Sequence, residues 1–148
     1  KLYPAMSGLG ASFVLAEELY GVNCIVLVSI AILESGGGTS KIAKRKNNLC
    51  GLGAYDGLEY ISALKFESRA DSIFFLAELL STKYVPGGKH YGGSYDLNGV
   101  NKKYASDPKW ASKVEQIMGK IVVAGIDNPE QLIEIANIKW EAVTNVQS

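Results

Sequence analysis

Leu27, Ile30, Ala31 and Glu34 lie three and four residues apart, so on a helix they share one face. Glu34 thereby extends an apolar stripe. Gly36, Gly37 and Gly38 follow almost at once and place it in that helix's last turn. Two effects act on a carboxyl there. Apolar surroundings disfavour the ionised form, and so does the partial negative charge at a helix C-terminus. Both raise its pKa, and a carboxyl that stays protonated near neutral pH is what a glycosidase needs to protonate a leaving-group oxygen. The glycines remove side-chain bulk where a sugar would approach. The same spacing also fits a glutamate on a solvated helix end, and the residues alone leave both readings open. Asp56, Glu59, Glu67 and Asp71 are available as a partner carboxylate. Inverting and retaining mechanisms set the two carboxyls at different separations, which a sequence does not measure.

Other reactive side chains are sparse. Cys24 and Cys50 are the two cysteines and His90 is the single histidine. Without a CxxC pair these are too few ligands for a zinc site, so no metal or cofactor is expected. Two buried free thiols are the plain reading of the cysteines; a bridge between them is favoured more if the protein is exported. His90 reads as an exposed loop residue.

The elements that must position Glu34 follow from periodicity. Residues 5–20 carry apolar side chains at loosely helical spacing, ended by Gly21. A second helix starts with Asn23 as N-cap and runs to residue 35. It is apolar on nearly every face, which predicts a central position. A short helix over 39–46 follows. Residues 49–55 and 61–66 read as two strand-like runs around the Asp56-Gly57 turn signal, forming a small irregular hairpin. Helix returns at Ser68, where Ser68 and Asp71 resemble a capping box, and Ala70, Ile73, Phe74, Ala77 and Leu80 share a face. Residues 85–98 form a loop rich in Gly and Tyr. Asp107-Pro108 and Asn128-Pro129 each start a helix, with proline at the first helical position. The expected class is α+β: mainly helical with a small β-hairpin lobe.

Bulk properties bound the function. With 148 residues, the chain has the size of one domain and buries a core without disulfides or metals. Hydrophobic residues make up 47% and charged residues 20%, as in an ordinary globular protein. Fifteen basic residues balance fifteen acidic ones, so there is no net charge to draw in nucleic acid or an anionic membrane. The apolar run from Cys24 to Leu33 is too short to span a bilayer. The chain opens at Lys1 without a basic-then-apolar leader, which reads as a mature product or a domain excised from something longer.

The blocks AILESGGGTSKIAKRKNNLCGLGAYDG, FESRADSI, YVPGGKHYGG and GVNKKYASDPKWASKVEQIM extend this reading. In order and spacing they resemble the bacterial peptidoglycan N-acetylglucosaminidases. That is the autolysin and flagellar-muramidase-like glucosaminidase family, with a lysozyme-like fold. The resemblance covers roughly residues 23–118. It implies one catalytic domain over 1–148, part of a longer protein. It puts Glu34 on the family's catalytic glutamate and Tyr104 on a tyrosine beside the reaction centre. It favours Asp56 or Glu59, on the hairpin, as the partner carboxylate; the substrate's own acetamide is a third route. Asn48 is matched as an N-acetyl contact, and Asn47 is a weaker one. Two positions depart from the pattern. Gly37 replaces a bulky residue, which would widen a sugar subsite, and Cys50 replaces an aromatic one.

Sugars pack C–H faces on rings while tyrosine hydroxyls supply polar contacts. Tyr55, Tyr84, Tyr91, Tyr95, Tyr104 and Trp110 are therefore candidate platform residues. The implied activity is hydrolysis of the β-1,4 bond between N-acetylglucosamine and N-acetylmuramic acid. The implied partner is a peptidoglycan glycan strand in an open groove, met by a monomeric domain at the cell wall, secreted or delivered by a phage particle. A muramidase or lytic transglycosylase on the same scaffold is the enzymatic alternative. A non-catalytic glycan-binding module of a phage tail or cell surface is the other.

Overall fold

A computed structural model describes residues 3–53 and 63–125. The described residues are mainly helical, with no strand among them. A one-turn 3-10 helix, Pro4–Met6, precedes α1 (Gly10–Tyr20), α2 (Cys24–Ser35) and α3 (Lys41–Lys46). Then come α4 (Arg69–Lys83), α5 (Leu97–Tyr104) and α6 (Trp110–Gly125). The expected hairpin tip, with Tyr55, Asp56, Glu59 and the start of its second run, lies outside the described residues. So does the helix expected after Asn128-Pro129, with Trp140.

Helix α2 is the hub, packing against α1, α4 and α6. The Asn23 carboxamide starts it by accepting from the Ile25 N–H at 2.8 Å. Gly36 ends it in the left-handed conformation, its N–H returning to the Ile32 carbonyl. Between these caps Leu27, Ile30 and Ala31 are fully buried, as the apolar stripe requires. The core they enter draws on every α-helix among the described residues.

The three glycines after α2 have a different role from the one expected. They do not line the cleft. A Cβ on Gly37 would press on the Tyr3 ring at 3.2 Å, and one on Gly38 would meet Met6 and the Ala5 carbonyl at 3.0–3.1 Å. Gly37 and Gly38 receive the N-terminal turn, and Arg69 locks it there by donating to the carbonyls of Ala5 (2.7 Å) and Gly38 (3.2 Å). Gly37 therefore opens no sugar subsite; it makes room for Tyr3.

Three further elements depart from the periodicity reading. The segment read as helix over 5–20 is a 3-10 turn and a separate α1, parted at Gly8 with φ 85°. The buried face of α4 is Ser72, Ile73, Leu76, Ala77 and Leu80, with Ala70 and Phe74 half-buried beside it. Helix α5 falls where no helix was expected. Asp96 caps it by accepting from the Gly99 N–H at 2.8 Å. Its glycine is forced by packing, since a Cβ at Gly99 would collide with the Ser94 carbonyl.

Candidate active site

Glu34 leaves the last turn of α2 and enters a cleft of about 820 Å³. The lining comes from the end of α2, residues 50–53, the Tyr84–His90 loop and the α5–α6 junction, with Ile42 of α3 and Leu79 of α4. The carboxyl is half-buried. Its Oε1 accepts from the Trp110 indole Nε1–H at 2.8 Å. Burial raises its pKa and the Trp110 hydrogen bond, which favours the ionised form, opposes that rise. Glu34 is therefore not a glutamate on a solvated helix end.

The 47–53 loop forms one wall and is organised by a buried asparagine. Asn48 Nδ2 donates to the Leu52 and Leu64 carbonyls, both at 2.9 Å. Its Oδ1 accepts from the N–H groups of Cys50 (3.2 Å) and Leu52 (3.1 Å). Both carboxamide hydrogens are thus used, and the residue is 1% exposed. Asn48 shapes the wall and does not line the cleft, in place of the N-acetyl contact expected of it. Asn47 likewise donates to the carbonyls of Phe66 and Glu67, at 3.1 Å each. The loop brings Gly51 beside Glu34: with φ 64°, a Cβ there would lie 3.5 Å from Oε2.

The opposite wall is an aromatic row. Trp110 packs on Tyr104 (centroids 5.0 Å), Tyr104 on Tyr84 (6.0 Å) and Tyr84 on His90 (5.4 Å). The Tyr104 hydroxyl donates to the Cys50 carbonyl at 3.0 Å, tying one wall to the other. Its pKa is pushed well above the ordinary tyrosine range by burial, then by charge on Cys50, Glu34 and Tyr84. Buried Asn101 aligns the row: it donates to the Asp107 carbonyl (2.8 Å) and accepts from the Ala111 N–H (3.0 Å), so the end of α5 and the start of α6 are held together. Asp107 accepts from Lys113 Nζ at 2.6 Å and from the Lys109 N–H at 2.9 Å, which keep its carboxyl below the usual range.

Of the residues singled out in the sequence, the cleft gathers Glu34, Tyr104, Tyr84 and Trp110. Tyr84 and Trp110 are buried, 5% and 3% exposed, so they support the wall from behind more than they offer an open platform. Tyr91 is half-buried in its loop and is not among the lining residues; Tyr95 is fully buried. Tyr55, Asp56 and Glu59 lie outside the described residues. The lining also includes residues not expected there: His90, half-buried and not the exposed loop residue its position suggested, with Cys50, Gly51, Asp107 and Lys113. Their signal was present in the quoted blocks LCGLG, GGKHYGG and DPKWASK, but nothing in residue type alone turns them toward Glu34. Cys24 and Cys50 are both free and buried.

Comparison with known proteins gives a consistent result. The family model described as "Glucosaminidase: Mannosyl-glycoprotein endo-beta-N-acetylglucosaminidase" matches residues 10–122. A Streptococcus pneumoniae serotype 4 protein whose proposed activity is endo-beta-N-acetylglucosaminidase is 40% identical over 112 residues, 76% of this chain and 17% of that protein. A bifunctional autolysin of Staphylococcus epidermidis is 29% identical, over 74% of this chain and 10% of its own length. The chain thus spans under a fifth of these curated relatives. Among solved structures, a catalytic glutamate-to-alanine mutant of Staphylococcus aureus autolysin E, in complex with the disaccharide NAG-NAM, superposes with a TM-score of 0.62. It is 28% identical and the match covers 83% of this chain and 64% of that one.

Proposed function

Because this chain belongs to the glucosaminidase family, a family of glycoside hydrolases, we propose that it cuts the β-1,4 bond between N-acetylglucosamine and N-acetylmuramic acid in peptidoglycan, with Glu34 as proton donor. One observation carries the assignment of Glu34: a carboxyl with raised pKa stands in an open cleft at the end of a buried helix. In the acid form it gives its proton to the glycosidic oxygen. The bond from the anomeric carbon to that oxygen breaks and its electron pair goes to the leaving oxygen. Water supplies hydroxide to the anomeric carbon, and its remaining proton restores Glu34, so the sum is hydrolysis.

Tyr104 positions the reacting sugar. Its hydroxyl hydrogen is given to the Cys50 carbonyl, which leaves oxygen lone pairs to accept from a sugar hydroxyl. The other face falls to Asp56 or Glu59, or to the substrate's acetamide. The Leu64 N–H to Leu52 carbonyl bond of 2.9 Å joins the flanks of that segment and supports a small β-hairpin lobe as its carrier. We assign the chain as one monomeric catalytic domain of a longer protein that meets a glycan strand at the cell wall, outside the cell. No helix among the described residues is long and apolar enough to cross a membrane.

The test is to incubate the domain with purified peptidoglycan and identify new chain ends by mass spectrometry. New reducing N-acetylglucosamine ends are expected, and Glu34→Gln should cut about 100- to 10,000-fold more slowly. Reducing or anhydro N-acetylmuramic ends would reassign it as a muramidase or transglycosylase. No new ends would leave a binding module, and undiminished cutting by Glu34→Gln would remove that residue from the mechanism.

A further inference from the structure

We propose that Trp110 is a positioning residue that fixes which oxygen of Glu34 carries the catalytic proton. The inference rests on Glu34 being the proton donor. An indole N–H donates and never accepts. The oxygen 2.8 Å from it, Oε1, is therefore the acceptor whether Glu34 is ionised or not. In the acid form the carbonyl oxygen is the stronger acceptor, so Oε1 takes that role and the proton is left to Oε2. That oxygen has no hydrogen-bond partner among the described residues. It lies beside Gly51 in the cleft lining, where a Cβ would stand 3.5 Å away. The left-handed glycine thus leaves open the space into which the proton points.

The indole is itself held in place. Trp110 is buried, packs against the Tyr104 ring with an interplanar angle of 35°, and sits on the α6 turn that Asn101 ties to α5. A hydroxyl in its position could donate or accept, and would let the proton sit on either oxygen. The indole removes that choice. Once the proton has gone to the leaving group, the same N–H bonds a full carboxylate, a stronger hydrogen bond than before transfer. The contact therefore favours the product side of the step more than the reactant side, which is how an interaction raises kcat. This gives Trp110 a role distinct from the sugar platform its residue type suggests.

Two variants test the inference: Trp110→Phe, and replacement of the indole at 110 by benzothiophene, which keeps the ring's shape and exchanges N–H for sulfur. If Trp110→Phe fails to fold, the isostere still decides. Each is assayed on soluble glycan-strand oligosaccharides for kcat, KM and the pH profile, beside wild type and Glu34→Gln. The expected result is a kcat lower by about 10- to 100-fold with KM little changed. The basic limb of the profile should move to higher pH, because burial of Glu34 is then unopposed. A basic limb that stays put overturns the inference. One that moves to lower pH does so too, since that is the effect of water entering a loosened site. If wild type itself makes no new ends, it is the glycosidase reading that fails. If wild type cuts, Glu34→Gln does not and the Trp110 variants match wild type, only the proton-orienting role fails.

Discussion

At the scale of the residue, Glu34 must be protonated to act and is ionised once it has acted, so its surroundings have to serve both states. Burial favours the acid and the Trp110 N–H favours the carboxylate, with burial the larger influence. The same imbalance has a consequence for stability. Folded Glu34 holds its proton more tightly than the unfolded chain does, whose carboxyl titrates near the ordinary value of 4.5. Its favourable contribution is complete below that value and is lost as pH rises through the raised folded pKa. At neutral pH that contribution is reduced or gone, because burial still penalises the charged form that the unfolded chain adopts freely. Glu34→Gln should therefore melt at a higher temperature than wild type at pH 7, while cutting far more slowly. The gap should close as pH falls below about 4.5, where wild-type Glu34 is neutral in both states. Melting curves across this range check it, and a gap that does not change with pH would show that Glu34 carries no burial penalty.

At the scale of the element, the cleft is made by two junctions that lack regular secondary structure, each held by one buried asparagine. Asn48 makes four hydrogen bonds to backbone groups in or beside the 47–53 loop. Each is worth about 1 kcal/mol net. Asn48→Ala should then cost about 2–4 kcal/mol in chemical denaturation and lower cleavage by releasing Gly51 from beside Glu34. Asn48→Asp should do no better, because a carboxylate would face the Leu52 and Leu64 carbonyls. A stable and fully active Asn48→Ala would show that the loop is held by other contacts. This is also where the sequence was hardest to read. Helix α2 and both its ends were legible, because an Asn cap, an apolar run broken only by Ser29 and a glycine stop all agree. Helix α5 was not, although Leu97, Val100 and Tyr104 fall at helical spacing behind the Asp96 cap. The glycines and tyrosines around it read as loop, yet Gly99 is there because α5 lies too close to Ser94 for a side chain. Glu34 and Tyr104 could be named from motifs. The role of Asn48 could not, since burial, not residue type, decides whether a carboxamide faces a sugar or the backbone.

At the scale of the whole molecule, one core reaches every α-helix among the described residues and contains both cysteines. A 148-residue chain buries enough apolar surface to fold without covalent help, and the structure uses none: Cys24 and Cys50 are free. Burial, and then the nearby Glu17 charge, push the Cys24 thiol up to about 12. Burial, and then the Glu34 charge, push the Cys50 thiol up as well. Thiolate is the species that attacks disulfides and alkylating reagents, so thiols raised in this way are inert at neutral pH. Cys50 lines the cleft, and burial with the Glu34 charge disfavours the thiolate there. Stability should consequently be independent of redox conditions. The melting temperature is expected to be the same with and without dithiothreitol, and Ellman's reagent should find no thiol in the folded protein and two per chain after denaturation. A melting temperature that drops on reduction, or fewer than two thiols in the unfolded chain, would mean that a bridge forms. It would also mean that the walls of the cleft are held by a covalent link from α2 to the 47–53 loop and not by Asn48 and Tyr104 alone.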